Sequence, residues 1–282
     1  MAGSDVIYVT LAPTGAPSQG VVEAVAKILK KDVFAAQVLL NGKIPKVAGY
    51  YPDMQTAESI AQELRSLGYP VIICHDSELR RTSTARFRAH TLQLAERDVS
   101  FRDKGGQTRT IDEGSLFLIL RGTIRTHTVK QVGMSGSEVD SNATAQKTGK
   151  SIMPGNINLP ATLMTGIPIM KKTKEKAKVE SVQYGEFLWL YDRTSLEPIV
   201  EILQSSFDYS SLGDKKALSS SQNLNIIIAE LKNRFQQAIL DSRLTERFRV
   251  DVPFATPDDE VEINSRLICL HHHAESGPNG SA

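Results

Sequence analysis

The strongest constraint on this chain is how its apolar spacing changes between residues 6 and 74. Residues 6–11, VIYVTL, form a short apolar run ended by Ala-Pro-Thr-Gly-Ala-Pro, which predicts a strand and then a loop. Val21, Val22, Val25, Ile28 and Leu29 then recur at helical spacing, with Lys27, Lys30 and Lys31 towards the end, where cations suit a helix C-terminus. A shorter helix is predicted over 33–40, carrying Phe34, Val38 and Leu39 and stopping at Asn41-Gly42. Residues 46–51 read as a second strand. Asp53 caps a third helix with the stripe Ala57, Ile60, Ala61, Leu64 and Leu67, ended by Gly68. Residues 69–74 read as a third strand. The order is β-α-α-β-α-β.

Within this region, residues 28–74 (ILKKDVFAAQVLLNGKIPKVAGYYPDMQTAESIAQELRSLGYPVIIC) carry a short helix ending before Gly42, Pro45 soon after, and a strand. An acidic-rich helix with the Ala57-Glu58 pair and a Leu64-to-Gly68 ending follows, then a valine- and isoleucine-rich strand. These features resemble the C-terminal domain of the ribosomal stalk protein, whose fold is shared with the Clp protease adaptor. The resemblance implies action by binding other proteins rather than by chemistry. On it, Lys27, Lys30, Lys31 and Lys43 would form a helix surface presented to a partner. The sequence departs from the family in its longer Pro/Gly loop and in the few basic residues on the second helix. The adaptor's acidic peptide-binding signature is also missing after residues 6–11. Neither family's own partner is therefore carried over.

The remaining chain is expected to form a β-rich domain. Residues 77–85 are a polar connector, and 86–94 alternate as a half-buried strand. Residues 99–102 and 107–111 flank Asp103-Lys-Gly-Gly106, a hairpin signal. Residues 115–120 are a continuous apolar run, continued by 122–129. From 130 to 181 the pattern fails and a flexible, Gly/Ser/Thr-rich insertion is expected. Strands are expected over 186–191, which holds the single tryptophan, and over 198–207. A long helix follows, with Leu224, Ile227, Ile228, Leu231, Phe235, Ala238 and Ile239 on one face. Residues 251–282 are read as an extension with a short strand over 261–270 and a disordered end. The expected class is α+β: a domain over 1–77, then an antiparallel β-rich domain over 86–250 closed by a long helix. Its element order is similar to a pleckstrin-homology-like domain. The chain as a whole resembles uncharacterised bacterial proteins that join a stalk-like domain to such a β-rich one.

Composition narrows the function. The 282 residues suit about two domains, and 33 Lys+Arg against 32 Asp+Glu leave a net charge of +1. So balanced a chain has no global field with which to hold a polyanion, which disfavours a dedicated nucleic-acid binder. Cys74 and Cys269 are too few for a disulfide framework and suit a reducing compartment. No apolar stretch reaches membrane-span length, and MAGSDVIYVT lacks the pattern of a secretory signal, so a cytoplasmic location is expected.

Chemistry-bearing motifs are weak. Residues 144–151, TAQKTGKS, approach a phosphate-binding loop but lack its first glycine, a preceding strand and a following helix. Gly133-Met-Ser135-Gly136-Ser137 misses the last glycine of a nucleophile elbow. His90 and His127 fall in predicted strands, as ordinary strand residues. Cys269-Leu-His271-His272-His273 is the densest metal-capable set; a zinc site there would use Cys269, His271, His273 and either Cys74 or His75, but a solvated tail is the plainer reading. Basic groups cluster at Arg80, Arg81, Arg86 and Arg88, with Phe87 between them, and at Lys171, Lys172, Lys174, Lys176 and Lys178. Tyr50 and Tyr51 must face opposite sides of a strand, one packed and one exposed at a contact surface.

The leading expectation is a non-catalytic cytoplasmic adaptor or scaffold that binds a protein partner through Lys27, Lys30, Lys31, Lys43 and Tyr51, with no cofactor, metal or catalytic residue. The alternatives are a regulator binding an anionic lipid or phosphate ligand through the basic segments, and a metal-dependent enzyme using the Cys/His tail.

Overall fold

The structure, a computed structural model, describes residues 6–80, 86–95, 98–132, 177–246 and 259–277. The fold is α+β. The N-terminal elements are β1 (Ile7–Leu11), α1 (Gln19–Leu29), α2 (Val33–Leu40), β2 (Lys46–Tyr51), α3 (Met54–Ser66) and β3 (Val71–His75), in the expected order. The single turn α4 (Asp76–Leu79) stands in part of the expected connector and buries Leu79. Asp32 and Asp53 cap α2 and α3 by accepting from the backbone N–H groups of Ala35 and Thr56, at 2.7 and 2.8 Å.

β1 is the centre of an antiparallel sheet ordered β2-β1-β3. All five of its residues are buried because both faces of the sheet are covered. On one face Ile7, Val9 and Leu11 pack with Val22 and Val25 of α1, Leu39 and Leu40 of α2, and Ala57, Ala61 and Leu64 of α3. On the other, Tyr8 and Cys74 meet Leu79, Ile263 and Leu267.

The second region holds β4 (Arg88–Ala89), β5 (Thr91–Leu94), β6 (Asp98–Arg102), β7 (Thr108–Asp112), β8 (Leu116–Val132), β9 (Ala177–Asp192) and β10 (Val200–Leu203). After a 3-10 helix (Tyr209–Lys215) come α5 (Ser220–Arg234), β11 (Ile239–Leu244) and α6 (Asp259–Ser276). One sheet is mixed, ordered β11-β8-β9-β10-β4, with β11–β8 and β10–β4 parallel; a second is the meander β5-β6-β7. Alternation along β9 divides two cores. Leu188 and Leu190 pack with Leu224, Ile227, Ile228 and Leu231 of α5 and with Val99, Phe101 and Ile111 of the meander. Phe187, Trp189 and Tyr191 pack with Phe117, Leu118, Leu120, Ile268 and Cys269. Helix α6 therefore lies between the two regions and seals both sheets. Residues Met1–Arg125 and Tyr184–Ala282 form one compact unit, and Thr126–Gln183 a second.

Several expectations need correction. The stretch 261–270, read as a strand, is helix; its apolar residues do not alternate but recur at Ile263, Leu267 and Leu270 facing one core, with Ile268 and Cys269 facing the next. The helix runs on to Ser276, so the histidine tract is helical rather than a loose tail. Residues 86–94 are not one strand. The chain breaks at His90, whose backbone N–H donates to Arg102 and whose carbonyl accepts from Asp208, leaving β4 and β5 in different sheets. Helix α5 ends at Arg234; Phe235 and Ala238 stay in the same core from the following turn, and Ile239 opens β11. The strand expected over 198–207 covers only Val200–Leu203. At the edges of the expected insertion, β8 continues to Val132 and β9 starts at Ala177. The motifs at 133–137 and 144–151, Arg81 and the lysines at 171, 172, 174 and 176 lie outside the described residues.

Candidate functional site

A groove of about 1050 Å³ lies between α2 and β2. Its helical wall has an unusual composition: VFAAQVLL contains no charge. A helix apolar on all sides normally needs cover on all sides. Here Ala36, Leu39 and Leu40 face the core, while Val33, Phe34 and Val38 do not; Phe34 is 73% exposed. The α1–α2 connection sets the rim. Lys30 takes a left-handed conformation (φ 52°) to end α1, and Lys31 follows it into the groove lining. Lys46 donates to the carbonyls of Val38 and Asn41 at 2.5 and 2.6 Å, so the cation satisfies the C-terminal end of α2 and ties it to β2.

All six residues of β2 line the groove. Tyr50 is 64% exposed, whereas Tyr51 is half-buried. The Tyr51 ring lies over Gly49, where a β-carbon would stand 2.6 Å from the phenol oxygen, so glycine is what lets the ring fold down. Burial raises the Tyr51 hydroxyl above the ordinary phenol value. The far end of the groove is held by the neighbouring region. Lys43 pairs with Glu246 at 2.6 Å, its carbonyl accepts from Arg243, and Ile44 is buried with Phe117 and Trp189.

Of the residues expected from the sequence, the structure brings Lys30, Lys31, Lys43 and Tyr51 together around this groove. Lys27 sits in the last turn of α1, exposed but outside it. Phe34, Val38 and Tyr50 also line the groove; of the tyrosine pair the exposed member is Tyr50, not the Tyr51 chosen from the sequence. Phe34 and Val38 read in the sequence as apolar helix positions, and no local signal separates the covered face of α2 from the open one.

The Cys/His set is dispersed over α6. Cys269 and Cys74 are buried in different cores, and burial pushes both thiols up to about 12, which leaves them protonated. The buried His271 places Nε2 3.2 Å from Thr10 Oγ1. Burial, with Arg243 and His272 nearby, lowers its imidazole to about 4. His272 contacts Asp241 at 2.8 Å. Burial alone would raise the Asp241 carboxyl, but the bonds from His272 and Arg243 hold it well below the usual carboxylate range. His273 stacks on Phe117. Among the described residues, no three His, Cys, Asp or Glu side chains converge in a way that could hold a metal ion.

A second cleft, of about 490 Å³, gathers Arg86, Arg88, His90, Lys104 and Arg109 with Phe87. Its guanidiniums are largely committed. Arg86 stacks on Trp189 and pairs with Glu262 and Glu201; Arg88 pairs with Glu201 at 2.7 Å; Arg109 donates to the Ile199 carbonyl at 2.6 Å. His90 Nδ1 is 2.8 Å from the Ser206 carbonyl. Among the described residues, no helix is long and apolar enough to cross a membrane.

No protein-family model, curated protein or solved structure matches the chain.

Proposed function

We propose that this chain is a non-catalytic cytoplasmic docking module, an adaptor or scaffold whose α2–β2 groove takes an apolar segment of a partner protein. The observation that carries this reading is Phe34, a large apolar side chain held in water on a charge-free helix and facing a groove that also presents Tyr50. Aromatic anchors of this kind carry a large share of binding energy once desolvated. Lys30 and Lys31 at the rim add electrostatic preference for an acidic partner. The resemblance of residues 28–74 to a fold that works by binding proteins supports the same reading.

Burying a phenylalanine ring is worth about 1.5–3 kcal/mol. Phe34→Ser should therefore weaken partner binding by roughly ten- to a hundredfold. The test is a comparison of full-length protein with Phe34→Ser and Tyr50→Ser variants in lysate capture, read by quantitative mass spectrometry. Partners lost from both variants support the reading; a partner set unchanged in both overturns it. The anionic-ligand alternative has a cleft of its own, but three of its cations already hold Glu201, Glu262 and a carbonyl, so the groove is the better-supported site. The metal-enzyme alternative draws less support, because the side chains it would use are engaged in separate contacts along α6.

A further inference from the structure

We infer that the segment bound in this groove is an extended acidic peptide that adds to β2 as a fourth strand of the N-terminal sheet. The inference rests on the docking reading and specifies the partner's chemistry. β2 is an edge strand, paired only with β1 among the described residues. Side chains alternate between the faces of a sheet, so a pocket over one face touches every second residue. This groove touches all six residues of β2, which places its opening along the strand's edge, where alternate backbone N–H and C=O groups point away from β1.

The facing wall fits a strand. Phe34 and Val38 are four residues apart on α2, about 6 Å along its axis at 1.5 Å per residue. Same-side residues of an extended peptide are about 6.8 Å apart. Two alternate apolar side chains of an added strand can thus meet Phe34 and Val38 in turn, while its backbone pairs with β2. The intervening side chains point the other way and carry the charge. Among the described residues Lys30 and Lys31 stand in no ion pair, and the one acid lining the groove, Glu246, is taken by Lys43. The complementary sign is negative.

The edge is also guarded. The β1–β2 register shifts so that Val9 faces Gly49 and Thr10 faces Val47, leaving Ala48 as an extra residue in a bulge. Bulges and edge lysines such as Lys46 discourage open-ended pairing of long flat strands. A short peptide with its own apolar anchors is less hindered, because α2 supplies side-chain contacts that a bare edge lacks.

The experiment uses the full-length protein as bait for a displayed library of short linear peptides. Selected binders are then synthesised with single N-methyl groups at successive backbone amides. The expected result is a set of acidic sequences with alternating apolar residues, whose binding falls with Phe34→Ser and with the double variant Lys30→Glu/Lys31→Glu. N-methylation at every second amide should weaken binding roughly tenfold, with the intervening positions tolerant, because only one side of a strand faces the ladder. Groove-dependent binding that tolerates every N-methyl group overturns strand addition and leaves the docking reading intact. Binders that ignore the Phe34 variant overturn both. A library that yields no acidic binder overturns the peptide assignment, and the lysate comparison then judges the docking reading separately. Sedimentation that finds a dimer dissociated by Phe34→Ser assigns the groove to a second copy and also overturns the proposal.

Discussion

Two helices of this protein invert the usual relation between composition and burial. α2, VFAAQVLL, is the more apolar, yet it leaves Val33, Phe34 and Val38 in water. α6, DEVEINSRLICLHHHAES, carries five charged residues and three histidines, yet buries a continuous run from Ile263 to Cys269 and then His271. α2 lies on the outside of a single sheet, so among the described residues one side of it meets no other element. α6 lies between two sheets and has few directions left for solvent. Its polar groups are accommodated by specific partners: Thr10 for His271, Asp241 for His272, and Glu197 with the Leu79 carbonyl for Arg266. The lesson is that a helix face left bare is informative when composition says it should be covered, and a buried polar helix is informative through the partners that make it tolerable.

The comparison can be broken first at Arg266, the most enclosed charge of α6. Its Nη2 lies 2.6 Å from Glu197 and its Nη1 2.5 Å from the Leu79 carbonyl. Arg266→Met removes the guanidinium that donates to that carboxylate and carbonyl. Removing one partner of a buried pair is strongly destabilising, and a loss of about 3 kcal/mol is expected, measured as a lowered urea midpoint. Because α6 seals both sheets, far-ultraviolet circular dichroism and Trp189 fluorescence should shift together. Separate transitions would show that the two regions do not depend on the shared helix.

A smaller, conditional effect comes from His271. Its imidazole is lowered in the fold to about 4 from an ordinary 6.5, so on acidification the unfolded chain takes up the proton first. The stability it allows is therefore complete above about pH 6.5 and is lost as pH falls towards 4, by up to roughly 3 kcal/mol at the lower limit and less at pH 5. Thermal melts across pH 7.5 to 4.5 should show this slope, and it should flatten in His271→Gln. An unchanged slope would mean that other groups, such as His273, carry the acid sensitivity.

The smallest effect sharpens the contrast from the other side. Phe34→Ser changes a helix of high apolar content but removes a ring that is 73% exposed. Its effect on the urea midpoint should correspond to less than about 0.5 kcal/mol, as for other surface positions. A large destabilisation would show that the ring supports the fold, and binding lost in that variant would then carry no information about the groove.

Much of the N-terminal region could be read from local signals. The Asp53 cap, the stops at Gly42 and Gly68 and the strands at Lys46–Tyr51 and Val71–His75 all lie within a few residues of the chemistry that produces them. Of the lysines that the resemblance implies at a partner surface, Lys30, Lys31 and Lys43 line the groove and Lys27 does not. The exposure of Phe34 could not be read from the sequence, because an apolar residue at helical spacing says that a face exists and not whether another element reaches it. The histidine tract was misread in the opposite direction: CLHHH is polar enough for a solvated end, and only Thr10, Asp241 and Phe117, far away in sequence, make it an interior segment.

By itself, the sequence determined the α+β class, the order of the N-terminal elements, the hairpin at Asp98–Arg102 and Thr108–Asp112, and the apolar faces of α1, α3 and α5. These depend on periodicity, capping and turn chemistry, which act over a few residues. Tertiary structure decided where α6 goes and, among the described residues, which face of α2 stays open and that β2 is an edge. Those outcomes depend on which surfaces meet across the chain, and the free energy of burial depends on the area two elements cover together rather than on the composition of either one.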